Sequence, residues 1–131
     1  EAAVSAETMI AVRLSVLPWP MPGHSLPADR IDGIDEQTLP HLYLADVLRA
    51  SGVYETAQAD GVVLKATALG AITPPKPLAG NRRSRPDYTY EARRRVYRLL
   101  DKIEVRDKQY RTDIGVHVNS YMAQLKEWSW L

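Results

Sequence analysis

The residues that could do chemistry in this chain are three histidines, a scatter of carboxylates and a run of arginines. His24, His41 and His117 stand apart from one another, with no pair at i,i+3 or i,i+4 and no carboxylate at metal-ligand spacing. Each reads as a packing or surface residue. Asp29, Asp32, Asp35 and Glu36 cluster around Gly33, but a calcium loop needs oxygens at alternate positions around its glycine. They read as a polar loop leading into a helix, with Asp35 and Glu36 near its N-terminus. Asp46, Glu55 and Asp60 are types that serve as general acid and base, yet no spacing selects two of them. The chain has no cysteine, which excludes disulfides, thiolate metal sites and a cysteine nucleophile. No serine sits in a nucleophile elbow, and the seven glycines form neither a phosphate loop nor a dinucleotide fingerprint. The expectation is a protein without catalysis, cofactor or metal.

The arginines are a stronger signal. Residues 82–111 contain Arg82, Arg83, Arg85, Arg93, Arg94, Arg95, Arg98, Lys102, Arg106, Lys108 and Arg111, eleven cations against five carboxylates. The flanking segments are acidic, so the formal net charge of +1 hides a basic stretch. Tyr88, Tyr90, Tyr97 and Tyr110 are interleaved, and arginine with tyrosine suits phosphate and base stacking. Arginine also recognises carboxylate and phosphate bidentately. Glu91 to Arg95, Glu104 to Lys108 and Asp107 to Arg111 are favourable i,i+4 pairs within a helix. That leaves Arg82, Arg83, Arg85, Arg93, Arg94 and Arg98 to steer an anionic partner. Arg82-Arg83-Ser84-Arg85 is also the kind of basic loop that kinases and proteases recognise. No zinc finger, RNP aromatic set or KH loop is present.

Aromatic and apolar residues lie where an extended chain would carry them. Trp19-Pro20-Met21-Pro22 should be extended, because residues before proline avoid the α region. Trp128, Trp130 and Leu131 make an end of the sequence more apolar than a free tail. Aromatics are preferred interface anchors, so Trp19, Met21, Trp128, Trp130 and Leu131 are read as partner-binding.

The elements that must position these residues follow from periodicity and punctuation. The 131 residues, 45% hydrophobic and 25% charged, suit one domain with or without an arm. No apolar run approaches the ~18–20 residues of a membrane span. All nine prolines lie at or before Pro86. Residues 1–37 are read as an N-terminal segment with a Pro-rich arm, and residues 38–131 as a helical domain. Residues 9–17 fit either a strand or a helix, and read as helix because no convincing second strand pairs with them. Residues 38–51 read as a helix capped by Thr38, with Pro40 in its first turn and Gly52 as its stop. Residues 54–71 read as helix, with a strand at 61–69 as competitor. From Asp87, an N-terminal cap, a stripe runs through Val96, Leu100, Ile103, Tyr110, Ile114, Val118, Tyr121, Leu125 and Trp128. One helix over 87–129 would span about 64 Å, about twice the size of such a domain. A break at Asp107–Gly115 is therefore expected, giving an antiparallel pair. The fold expected is mostly α: a small helical bundle of three to five helices with a Pro-rich extended N-terminal arm.

The function expected is a non-catalytic accessory or structural subunit of a larger, membrane-associated or soluble, protein assembly. It would dock through the Pro-rich arm, the Arg-rich surface and the C-terminal tryptophans onto other subunits or a membrane surface. A Pro-rich arm before a cysteine-free basic helical domain is the general style of small extrinsic subunits on membrane complexes. The alternative is a nucleic-acid-binding module using residues 82–111. The sequence opens at Glu1 rather than Met, which favours a processed precursor of an organelle or an exported compartment.

Overall fold

The computed structural model describes residues 7–23, 28–57, 60–80 and 84–130. In chain order the strands are β1 (Glu7–Ser15), β2 (Arg30–Ile31), β3 (Leu42–Leu44), β4 (Val47–Ala50), β5 (Val53–Thr56) and β6 (Val62–Ala71). The helices are α1 (Tyr90–Lys102) and α2 (Val118–Glu127), and a short 3₁₀ turn, Leu39–His41, precedes β3. The strands form two antiparallel three-stranded sheets: sheet A, ordered β1-β6-β3, and sheet B, ordered β2-β5-β4.

A mostly α, helical-bundle fold is therefore corrected to a mixed, strand-rich one. The cause is pairing over a long sequence separation. Residues 9–17 do have a partner: β1 runs antiparallel to β6 from Glu7–Ala71 to Leu14–Leu64. The alternation of Ile10, Val12 and Leu14 then puts all three on the buried face. Residues 54–71, expected as a helix, instead form β5 and β6: the three alanines of 62–71 favour a helix, yet the central place of β6 in sheet A decides for strand. Over 38–51 the expected helix shrinks to the 3₁₀ turn at Leu39–His41. Its continuation pleats into β3 and β4, and Gly52 is not a helix stop. Ser51 (φ 50°) and Gly52 (φ 83°) form the two-residue hairpin loop between Ala50 and Val53, both at the positive φ that such loops require.

The C-terminal region keeps its helices but divides them. Asp87 Oδ1 accepts the N–H groups of Thr89 and Tyr90 at 3.0 and 2.9 Å, the capping role expected of it. Ala92, Val96 and Leu100 line one side of α1 and are fully buried against sheet A. Ile103 and Val105 complete that core after the helix ends. The contact between α1 and the sheet is close at Gly70. A Cβ there would overlap the backbone nitrogen of Ala92, so glycine is what lets strand and helix meet. The chain breaks over 103–117 and resumes in α2, none of whose residues is buried. The break was anticipated, but α1 packs on β1 and β6, not on an antiparallel helical partner.

The stretch Trp19-Pro20-Met21-Pro22, expected to be extended, instead lies in a turn. Trp19 N–H donates to Val16 O at 3.1 Å and Met21 N–H to Pro18 O at 2.8 Å.

Candidate functional site

Sheet A has one covered and one open face. The side chains of Ile10, Val12 and Leu14 on β1, and of Leu64 and Ala66 on β6, lie under α1. The alternate residues point the other way. These are Met9, Ala11 and Arg13 on β1, Lys65, Thr67 and Leu69 on β6, and Tyr43 on β3, which lies opposite Lys65. Met9 is 61% exposed, Tyr43 65% and Leu69 49%. Large apolar side chains grouped on a bare sheet face are unusual for a surface that meets only water.

The open face runs around the edge of β6 into a groove of about 620 Å³. The edge is accessible there because β3 ends early, pairing only with Leu64–Ala66. Gln37, Pro40 and His41 form one wall and α1 the other. From α1 the groove receives Arg95, Arg98 and Lys102, spaced i, i+3 and i+7 on one helix face, with Leu99 beside them. Among the described residues no carboxylate lines the groove. Arg95 Nη1 donates to the Leu69 carbonyl at 2.9 Å and its Nε lies 3.7 Å from Glu91. Among the described residues, neither Arg98 nor Lys102 has a carboxylate within salt-bridge distance. The groove is thus cationic along one wall and apolar at its mouth, where Met9, Tyr43 and Leu69 meet it. It suits a partner that presents carboxylate or phosphate next to apolar groups.

The wall opposite α1 is rigidly built. Asp35 Oδ1 accepts the N–H groups of Gln37 and Thr38 at 2.9 and 2.8 Å. In return Thr38 Oγ1 accepts from Asp35 N–H at 2.9 Å and donates to Gly33 O at 2.8 Å. These bonds, led by that from Thr38 N–H, hold the Asp35 carboxyl below the usual aspartate range, and Lys102 across the groove acts in the same direction.

The sequence-selected residues are dispersed. Arg98 points into the groove. Arg93 is turned inward: its Nε and Nη2 donate to the carbonyls of Ile114 and Thr112 at 2.8 and 3.2 Å, and its guanidinium lies over Tyr97. It fastens the 111–114 loop to α1. Arg94 is held by Glu91 at 2.9 Å, and that hydrogen bond is the main cause lowering the Glu91 carboxyl. Arg85 is exposed. Trp19 packs under Arg13, whose guanidinium carbon is 4.9 Å from the ring centroid, while Met21 is exposed. Trp128 and Trp130 stack edge to face at 5.6 Å and stay 54% and 72% exposed. Arg82, Arg83 and Leu131 lie outside the described residues.

Arg95, Lys102, Met9, Tyr43 and Leu69 were not selected from sequence. The i, i+3, i+7 spacing of Arg95, Arg98 and Lys102 was available as a signal. The strand register that puts Met9 opposite Leu69, with Tyr43 on the same face, was not.

No protein-family model matches this chain, and neither does any curated protein. The reading of the site rests on its geometry. Among the described residues no group of three His, Asp or Glu is placed to hold a metal ion.

Proposed function

We propose that this protein is a non-catalytic accessory subunit of a larger assembly. It binds another subunit across the open face of sheet A and the basic groove beside it. The observation that carries this reading is the exposure of Met9 and Leu69, which lie opposite each other, and of Tyr43 on the same face of a sheet whose other face carries the core residues Ile10, Val12, Leu14, Leu64 and Ala66. Burying them removes apolar area from water, and Arg98 and Lys102 at the rim select a partner carrying negative charge. The exposed Trp128–Trp130 pair is a second anchor for the same assembly. No described helix is long and apolar enough to cross a membrane. Contact with a membrane complex would be made from its surface.

A second reading, a nucleic-acid-binding module, draws support from the Arg95–Arg98–Lys102 stripe. The closing experiment separates the two. The native size of the endogenous protein is measured in a gentle extract with and without nuclease, alongside the variants Met9→Glu/Tyr43→Glu and Arg98→Glu/Lys102→Glu. A large nuclease-resistant particle, lost with both double variants, supports the subunit reading. A particle that collapses with nuclease, and with the arginine–lysine variant alone, moves the assignment to nucleic acid. A free monomer in every lane overturns both.

A further inference from the structure

The groove beside α1 lies where sheet A has room for one more strand. β3 pairs with β6 only over Leu64–Ala66, and the chain before it turns away through Pro40 in the 3₁₀ turn. Beyond Ala71, Thr73 exchanges N–H···O bonds with Asp87 at 2.8 and 3.0 Å. Among the described residues no strand pairs with the β3 side of β6 between those two points. The main chain marks the place at Leu69. Its carbonyl turns away from β1 and accepts Arg95 Nη1 at 2.9 Å, where a neighbouring strand would donate an N–H. The Arg95 side chain is 53% exposed, so a main-chain donor can displace it.

We propose that an extended segment of the partner subunit adds antiparallel to β6 in this groove, in line with β3, with an apolar residue opposite Leu69 and an acidic residue on each side of it. This rests on the partner reading above and names the chemistry of what the groove takes. Residues directly opposite in a sheet share a face. The residue opposite Leu69 therefore lies beside that half-exposed leucine, on the open face, and its N–H takes the Leu69 carbonyl. Its two neighbours point the other way, towards α1. That wall presents Arg98 and Lys102, which have no carboxylate within salt-bridge distance among the described residues, and the displaced Arg95 joins them. The spacings agree. Alternate residues of a strand are about 6.8 Å apart, and one turn of α1, about 6 Å, separates Arg98 from Lys102. A helix is the poorer occupant. Its N–H groups are spent within itself, so it offers none to Leu69.

The test is nuclear magnetic resonance of the isotope-labelled full chain, titrated with the acetylated and amidated peptide Val-Glu-Val-Glu-Val up to about 1 mM. Amide shifts are expected over residues 67–71 and 95–102, together with a shift of the Arg95 Nε–H. In the bound register the valine N–H groups face β6 and the glutamate N–H groups face outward. N-methylation of the valines should therefore weaken binding about tenfold or more, and N-methylation of the glutamates far less. Arg98→Glu/Lys102→Glu should weaken it about tenfold as well. The N-methyl comparison needs no variant of the protein, so it decides even if that one is unstable. No shifts with the alternating peptide, equal loss from either N-methylation, or equal binding of the reordered Glu-Glu-Val-Val-Val overturns the proposal. Its failure is separable from that of the partner reading. A native particle lost with both double variants, from a chain that ignores the peptide, keeps the partner reading and overturns strand addition. A chain that binds the peptide as described yet forms no particle does the reverse.

Discussion

Thr38 is the residue on which the groove wall turns. Its hydroxyl both accepts from Asp35 N–H and donates to Gly33 O, and the side chain is 2% exposed. Thr38→Ala leaves two main-chain groups without their partner and should cost about 1–2 kcal/mol. Thr38→Ser, which keeps the hydroxyl, should recover most of that in urea unfolding. The reciprocal bonds to Asp35 also give stability a pH dependence. Because the Asp35 carboxyl is depressed in the folded chain, its contribution is complete above the unfolded value. It is lost as pH falls through the folded value, which places the loss below about pH 4. Acid unfolding of Asp35→Asn beside wild type checks the sign. The variant should be less stable at neutral pH, and the gap should close in acid.

At the scale of elements, α1 holds the chain that follows it with two side chains. Tyr97 Oη donates to Arg111 O at 2.8 Å and accepts from Ile114 N–H at 3.2 Å, while Arg93 grips Ile114 O and Thr112 O. Burial, the largest influence on it, raises the Tyr97 hydroxyl above its ordinary range. Tyr97→Phe should cost about 1–2 kcal/mol and release the 111–114 loop to faster amide exchange, with little effect on the strands. This is also the scale at which the sequence was and was not legible. The buried stripe Val96, Leu100 and Ile103, the Asp87 cap and the break after α1 follow from local rules, and all three hold. The strands were hidden because their evidence is not local. Ile10, Val12 and Leu14 alternate, but the pattern meant strand only once residues 64–68 were known to lie opposite. Thr38, Pro40 and Gly52 look like helix punctuation in isolation. Ser51-Gly52 between two apolar runs was the missed local sign of a hairpin. The same limit governs the candidate site. Arg98 was legible as a cation without a helix partner. Arg93 looked equally free until the 111–114 loop folded back onto it, and only the register of three strands puts Met9 opposite Leu69 with Tyr43 on the same face.

For the whole molecule, the longest-range pairing is also the one that closes the core. β1 supplies Val12 and Leu14, 1% and 0% exposed, to the layer between sheet A and α1, and β6 has β1 along nearly its entire length. Removing β1 strips those side chains from the core and leaves the β6 ladder open. Truncating one buried leucine alone costs about 2–5 kcal/mol, against a total stability of about 5–15 kcal/mol for a domain. A fragment of residues 38–131 should therefore not fold alone, although it contains both helices and four of the six strands. Circular dichroism and amide exchange of the fragment should show α1 melted, because its buried face, Ala92, Val96 and Leu100, packs on β1 as well as on β6. Adding a peptide of residues 7–17 in trans should restore the helical signal, and a peptide with Leu14→Asp should not. A fragment that folds cooperatively by itself would show that β1 is an addition to a core complete without it.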